Sequence, residues 1–352
     1  MDTPADVANG SYTLALDAMG GDLGAVPLVE GAVLAARDFG YQIILVGNPN
    51  TIKSELAKHG AKPDEEGLTI HEATGVVGMN EKPHACVKRK DTSVSVACEL
   101  VKDGKAQAIV SAGNTGATLG VSLLRLRRAK GVNRPGLATV FPTKNREKQT
   151  LLLDVGGTVD CKPINLVQFA VMGNVYMRDV FGVANPRIAL LNIGEEEHKG
   201  NEQSLQTMEL LKRAELNFVG NAEGRDVITG EFDVIVCDGF VGNSMLKLAE
   251  GVASMITGEL KHQLTLSPWR KLLALGLKSG LLQMKKRFDH TNYGGAPLMG
   301  LRQTCIATHG KSDANAIKHS LRIAHECVEA DLATKVQQEV EARRARTQQA
   351  DT

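Results

Sequence analysis

The sequence predicts an α/β fold on a buried, mostly parallel sheet with helices on both faces. Three observations predict it. Short, unbroken apolar runs alternate with helical patterns along nearly the whole chain. Most of those runs lead into glycine-containing turns. The 352 residues include 36 Gly but only 4% aromatics, against an average glycine usage of about 7%. Strands buried on both faces read as continuous apolar runs, whereas half-exposed strands alternate. Strands that alternate with helices build a parallel sheet.

Taken in order, Leu14 to Ala18 reads as a strand, followed by a Gly-rich turn and a helix from Pro27 to Phe39. Ile43 to Val46 is the next strand. Ala106 to Ser111 is another, with Gly113-Asn114-Thr115-Gly116 and a helix to about Ala129 after it. Leu151 to Val155, Ile188 to Ile193, Phe218-Val219, Val234 to Cys237 and Cys305 to Thr308 complete the strands. In such sheets ligands bind beyond the carboxyl ends of strands, so the turns that follow them are where chemistry is expected.

Composition narrows the function. Lys plus Arg is 41 and Asp plus Glu is 40, a net charge of +1, so the broad basic surface of a general nucleic-acid binder is excluded. A hydrophobic share of 43% and a charged share of 23% exclude wholesale disorder. The chain exceeds the ~250–300 residues at which one core stops growing, which predicts two lobes or one domain with a large insertion. Residues 1–11 are polar and acidic, without the apolar core of a signal or transit peptide. No stretch reaches the ~18 apolar residues of a membrane span. The six Cys form no C-x-x-C pair, which favours reduced thiols in a cytosolic protein over a zinc site or a disulfide frame. His325-Glu326 opens an H-E-x-x-E string that lacks the second His of a zinc protease.

One segment breaks the rhythm. Residues 261–288 hold no acid but seven basic residues: Lys261, Arg270, Lys271, Lys278, Lys285, Lys286 and Arg287. At ~100° per residue, Leu266, Trp269, Leu273, Leu277, Leu281 and Met284 share one helical face, and Lys271, Lys278 and Lys285 the opposite one. Leu275 and Leu282 fall beside the lysines, and Gly276 and Gly280 predict a split into two short helices. Such an element suits a membrane surface or an acidic partner. It equally suits a helix pair with a solvated basic face and leucines in a core or dimer interface. The polar tail from Thr334 reads as a frayed helix end.

Five constellations can carry chemistry. Asp17-Ala18-Met19-Gly20-Gly21-Asp22 allows close backbone approach to a ligand at a helix N-terminus, or is a tight turn alone. It is not a G-x-G-x-x-G fingerprint. Ser111 to Ala117 offers free backbone N–H groups with Asn114 and Thr115 as side-chain donors, suited to an anion or oxyanion. It lacks the Lys of a P-loop. In Leu191-Asn192-Ile193-Gly194-Glu195-Glu196-Glu197-His198-Lys199-Gly200-Asn201-Glu202 the charge run directly follows a strand, so Lys199 can meet phosphate as a point charge; a solvated charge run is the plain alternative. In Asp238-Gly239-Phe240-Val241-Gly242-Asn243, Asp238 either orients a catalytic Lys or His or caps a turn, and Asn243 either donates to a carbonyl oxygen or caps the helix. His309 follows a strand beside Gly310-Lys311-Ser312. No Ser-His-Asp order, G-x-S-x-G elbow or Cys nucleophile supports covalent catalysis.

Together these stretches resemble the phosphate acyltransferases of bacterial phospholipid synthesis, from about Leu14 to Ala324. The resemblance also rests on Leu153-Asp154-Val155-Gly156 with Asp160-Cys161-Lys162-Pro163, Gln168 to Gly173, Val219 to Arg225, and Tyr293-Gly294-Gly295-Ala296-Pro297. Each motif alone is weak, but their joint occurrence in order is specific. Two departures stand out. The family usually has Ala-Asn where this chain has Gly157-Thr158, and Ser-Ser-Asn where it has Lys311-Ser312-Asp313.

The resemblance implies a doubly wound α/β/α sandwich, similar to phosphotransacetylases and isocitrate-type dehydrogenases. It implies a single large domain over residues 12–333, with the basic helical insertion at 261–288 and flexible tails at 1–11 and 334–352. It implies a homodimer, without cofactor or metal, that moves a fatty acyl group from acyl carrier protein to inorganic phosphate. Acyl phosphate then passes to a membrane glycerol-phosphate acyltransferase, at the anionic inner face of the cell membrane. The residues expected to carry catalysis are Lys199, His198, Asn243 and Asp238. Gly20, Gly21, Asn114, Thr115, Gly116, Asp154, Gly239 and His309 are expected to bind phosphate or substrate. Trp269, Arg270, Lys271, Leu273, Leu277, Lys278 and Lys285 are expected to dock membrane or carrier protein. The rivals are an acyl-CoA enzyme of phosphotransacetylase type, a dehydrogenase of the same fold, and a non-catalytic membrane scaffold.

Overall fold

The computed structural model describes residues 12–288 and 294–350. Residues 1–11 and Tyr293 lie outside the described residues, as do the side chains of Leu273, Lys278 and Lys285. The chain divides into two compact units, residues 1–135 with 294–352 and residues 136–293.

In the first unit the chain forms β1 (Thr13–Asp17), α1 (Ala25–Phe39), β2 (Gln42–Gly47), α2 (Pro49–Lys58), β3 (Leu68–Glu72), α3 (Pro83–Cys86), α4 (Ser93–Lys102), β4 (Ala108–Ser111) and α5 (Thr115–Arg125). The second unit contributes β5 (Gly136–Pro142), β6 (Gln149–Leu153), α6 (Pro163–Asp179), β7 (Ile188–Leu191), α7 (Glu202–Lys212), β8 (Phe218–Ala222), a 3-10 turn (Gly224–Ile228), β9 (Val234–Val236), α8 (Gly239–Thr265) and α9 (Pro268–Phe288). The first unit is completed by β10 (Ala296–Met299), β11 (Thr304–Ala307), α10 (Ala314–Glu329) and α11 (Leu332–Ala350).

The strand order of the first unit is β3-β2-β1-β4-β11-β10, all parallel except β10. Asp17 lies opposite Val46 and Ser111, so the carboxyl ends of β1, β2 and β4 finish level. Leu14, Leu16, Leu45, Ile109 and Ile306 are fully buried in the sheet, as their unbroken apolar runs require. Helices α1 and α10 pack together on the sheet, and α4 and α5 form a second pair on it. In the second unit the order is β5-β6-β9-β7-β8, parallel except β5. Helix α6 is apolar on nearly all sides and packs against β6, β9 and α7. The fold is the expected α/β class with mostly parallel strands.

Helix α8 leaves an apolar seam in the open. Val241, Met245, Leu248, Val252 and Met255 follow one another at alternating spacings of four and three residues, which keeps them on one line. Leu248 and Met255 are 68% and 67% exposed.

Two local expectations differ. The basic segment does not split at Gly276 and Gly280; α9 runs through both. The break falls between α8 and α9, where Ser267 Oγ accepts from Arg270 N at 3.3 Å and Pro268 opens the helix. A hydroxyl at the cap and a proline in the first turn are a stronger start signal than glycine is a stop. The tail is also more ordered than a frayed end, because α11 buries Val336 and Val340. Among the described residues, no helix is long and apolar enough to cross a membrane.

Candidate active site

In the first unit, the turns after β1, β4 and β11 carry the predicted residues to the carboxyl edge of parallel strands. Asp17 is buried there, and Ser111 Oγ donates to its Oδ2 at 2.8 Å. Burial raises the Asp17 pKa, while hydrogen bonds from Ser93, Ser111 and the N–H groups of Met19 and Gly20 pull the other way. Gly20 is required by close approach: a Cβ there would lie 2.8 Å from both Asp17 Oδ2 and Gly113 N. The next turn is tied to the β11 turn by Asp22 N donating to Gly310 O at 2.7 Å. Asn114 caps α5, its Oδ1 accepting from Ala117 N at 3.0 Å, and its Nδ2 donates to Met79 O at 2.8 Å and Glu81 O at 3.2 Å. Thr115 is exposed at the first position of the same helix, with Gly116 beside it.

His309 is exposed, and its Nδ1 accepts from Lys311 N at 3.1 Å. Asp313 caps α10, accepting from Ala316 N at 2.9 Å. Asp and Asn are equivalent at a helix N-cap, which accounts for the departure at that position.

In the second unit, the carboxyl ends of β6, β7 and β9 gather the remaining candidates. Asp154 is fully buried. Its Oδ1 accepts from the N–H groups of Leu137 (2.8 Å), Gly156 (2.9 Å) and Gly157 (2.7 Å), and its Oδ2 from Thr158 N (2.5 Å). Burial nevertheless raises its pKa. Expected to bind substrate, Asp154 has both carboxylate oxygens engaged by backbone N–H groups, three of them from the 156–158 turn. The departure at Gly157 fits this packing: a Cβ there would meet Leu137 N at 2.9 Å.

Helix α8 starts against the same turn. Gly239 N donates to Thr158 O at 2.9 Å. Gly242 admits no side chain, since a Cβ would lie 1.9 Å from Asp154 O. Asp238 caps the helix, accepting from Val241 N at 2.9 Å. Asn243 is exposed one turn on, over Gly156, where a Cβ would lie 3.8 Å from its Oδ1.

The charge run after β7 is not a solvated loop alone. Glu195 pairs with Arg225 at 3.2 Å and Glu197 with Lys212 at 2.8 Å. Asn192 Nδ2 donates to Lys199 O at 3.0 Å, which fixes the backbone that carries the Lys199 ammonium. His198 is exposed beside it. Sequence reasoning gave Asn192, Ser93 and Ser111 no role. Asn192 stands within the motif that was singled out, and its position at a strand end was the available signal.

The docking residues are partly described. Trp269 and Leu277 are 66% and 61% exposed, and Arg270 Nη1 donates to Gln263 O at 3.3 Å. Lys271 is exposed in the first turn of α9.

A model for a fatty acid synthesis protein family matches residues 12–335. The chain is 48% identical to a phosphate acyltransferase of Geotalea daltonii, over 89% of this chain and 90% of the relative. It is 46% identical to one of Geobacter sulfurreducens, over 93% and 94%. Among solved structures, a phosphotransacetylase from Streptococcus pyogenes superposes with a TM-score of 0.62 at 15% identity, covering 91% of this chain and 94% of that one; this likeness concerns the fold. The chain belongs to the phosphate acyltransferase family of fatty acid and phospholipid synthesis, a family of acyltransferases.

Proposed function

We propose that this chain transfers a fatty acyl group from acyl carrier protein to inorganic phosphate, giving acyl phosphate and the free carrier thiol. The observation that carries the reading is the identity to phosphate acyltransferases over about nine-tenths of the chain. A phosphate oxygen attacks the thioester carbonyl, the C–S bond breaks, and the departing thiolate takes up the proton that phosphate gives away. Phosphate is already partly dianionic near neutral pH and a thiolate leaves readily. The protein therefore needs mainly to position the reactants and stabilise the oxyanion.

Lys199 and His198 hold phosphate or the oxyanion, and Asn243 donates to the carbonyl oxygen. Asp238 and Gly239 set the start of α8, which carries Asn243. In the first unit, Gly20, Gly21, Asn114, Thr115, Gly116 and His309 line an anion cradle. No covalent enzyme intermediate and no cofactor enters this route.

The protein acts as a homodimer, packing the exposed seam of α8 against that of a second copy. It works in the cytoplasm at the inner face of the cell membrane, where the basic and apolar residues of α9 meet anionic lipid or the acidic carrier protein. A membrane glycerol-phosphate acyltransferase takes the acyl phosphate. The fold shared with phosphotransacetylases favours one second reading, an enzyme that uses acyl-CoA.

The test is phosphate-dependent release of carrier thiol from palmitoyl carrier protein, with palmitoyl-CoA in parallel. Release from the carrier substrate is the expected result. Release from CoA alone moves the assignment to the second reading, and release from neither, with the protein folded, overturns both.

A further inference from the structure

The second unit holds a cavity of about 460 Å³ at the carboxyl ends of β7 and β9, within the ~300–1,000 Å³ usual for small-ligand sites. Its apolar walls are Leu166, Leu190, Leu191, Ile193, Val241 and Met245. Each polar side chain that lines it spends at least one of its polar atoms on the protein. Asn192 holds Lys199 O, Gln203 Nε2 donates to Cys161 O at 2.6 Å, and Ser204 Oγ donates to Asn201 O at 2.9 Å. Asn201 and Asp238 cap α7 and α8 through Oδ1. A cavity walled mainly by apolar side chains, with its amides and hydroxyl already bonded to the protein, selects an apolar occupant. Its rim includes Gly200, next to Lys199, and Asp238.

We infer that this cavity takes the hydrocarbon chain of the acyl substrate, with the thioester carbonyl at the rim beside Lys199 and Asp238. The inference rests on the acyl-transfer reading and adds where the chain lies and what measures its length. Gly224 is the measuring position. It lines the cavity, and a Cβ there would have Met245 Cε at 3.5 Å as its one neighbour within 4 Å, an ordinary contact. A larger side chain can therefore grow from Gly224 without a backbone clash.

The experiment compares wild type with Gly224→Ala and Gly224→Phe by two readouts. The first is binding of a fluorescent hexadecanoic acid analogue to the protein alone. The second is the ratio of kcat/KM for hexadecanoyl over octanoyl carrier protein. Each methylene shut out is worth about fourfold, so Gly224→Phe should weaken the probe and lower the ratio by about tenfold or more, with Gly224→Ala in between. If Gly224→Phe melts like wild type yet binds the probe equally and keeps the ratio, the chain lies elsewhere. Lack of saturable probe binding by wild type also overturns the cavity assignment, whatever the turnover. Saturable binding that Gly224→Phe abolishes, in a wild-type protein without phosphate-dependent thiol release, keeps the cavity as an acyl site and rejects the acyl-transfer reading instead.

Discussion

At the scale of single residues, the buried carboxylates, the half-buried Lys199 and the exposed Asn243 divide the work. Asp17 and Asp154 sit behind the strand ends and hold turns in place. Asp154→Asn puts an NH₂ group against one of the N–H donors that the carboxylate now accepts. It should cost about 1–3 kcal/mol, seen as a lower urea midpoint. The raised pKa of Asp17 sets a pH signature. Its neutral form is favoured in the folded state, so its contribution to stability is full below the unfolded value of about 3.8 and declines as pH rises toward the raised folded value. The deficit of Asp17→Asn relative to wild type should therefore be largest near pH 4 and shrink toward neutrality in parallel denaturation series. Lys199 and Asn243, by contrast, should matter for rate and little for folding. Lys199→Ala and Asn243→Ala are each expected to lower turnover by about 10²-fold or more, with melting temperatures near that of wild type. Wild-type turnover in both would remove them from the site.

At the scale of elements, legibility followed the run of apolar residues. The eight strands read from the sequence are continuous apolar runs, and all occur as strands. The three that went unread carry mixed signals. β3 is an edge strand with Thr69, His71 and Glu72 among its apolar residues, β5 begins at Gly136 and ends at Pro142, and β10 contains Pro297. A proline or a polar alternation marks edges, ends and antiparallel partners rather than central parallel strands. The helix caps were half legible: Asn114 and Asp238 were singled out for chemistry, and each proved to cap a helix. A capping oxygen and a ligand donor look alike in one sequence, because both are short polar side chains after a strand. Two element-scale predictions follow from geometry. Leu248→Glu with Met255→Glu places charge on the α8 seam and should turn the proposed dimer into a monomer by light scattering; a wild type that is itself a monomer would reject the dimer. Neutralising Lys271, Lys278 and Lys285 should reduce sedimentation with anionic liposomes, and unchanged sedimentation would reject the membrane role of α9.

At the scale of the whole molecule, the sequence made the α/β class and the carboxyl-edge location of the candidates readable. Length offered two lobes as one of two possibilities, but where the units divide and the cavity beside β7 and β9 were not readable, because both depend on contacts between residues far apart in the chain. Leu166, Gly200, Gly224 and Met245 share no motif, yet they line one space. A global test of phosphate as substrate needs no turnover. Inorganic phosphate at about 100 times its Kd should stabilise the protein by about 2.7 kcal/mol, raising Tm where sodium chloride of equal ionic strength does not. The thiols have a practical bearing on the thioester assay. Five of the six cysteines are buried, Cys161 being the partly accessible one, and burial raises the Cys98, Cys237, Cys305 and Cys327 pKa values, that of Cys305 to about 11. Thiols kept protonated and out of contact with solvent are poor nucleophiles. The native enzyme is thus nearly silent toward a chromogenic disulfide reagent. Colour that develops only with phosphate present reports the carrier's thiol, and colour that develops without it reports Cys161 or, beyond one equivalent, unfolding.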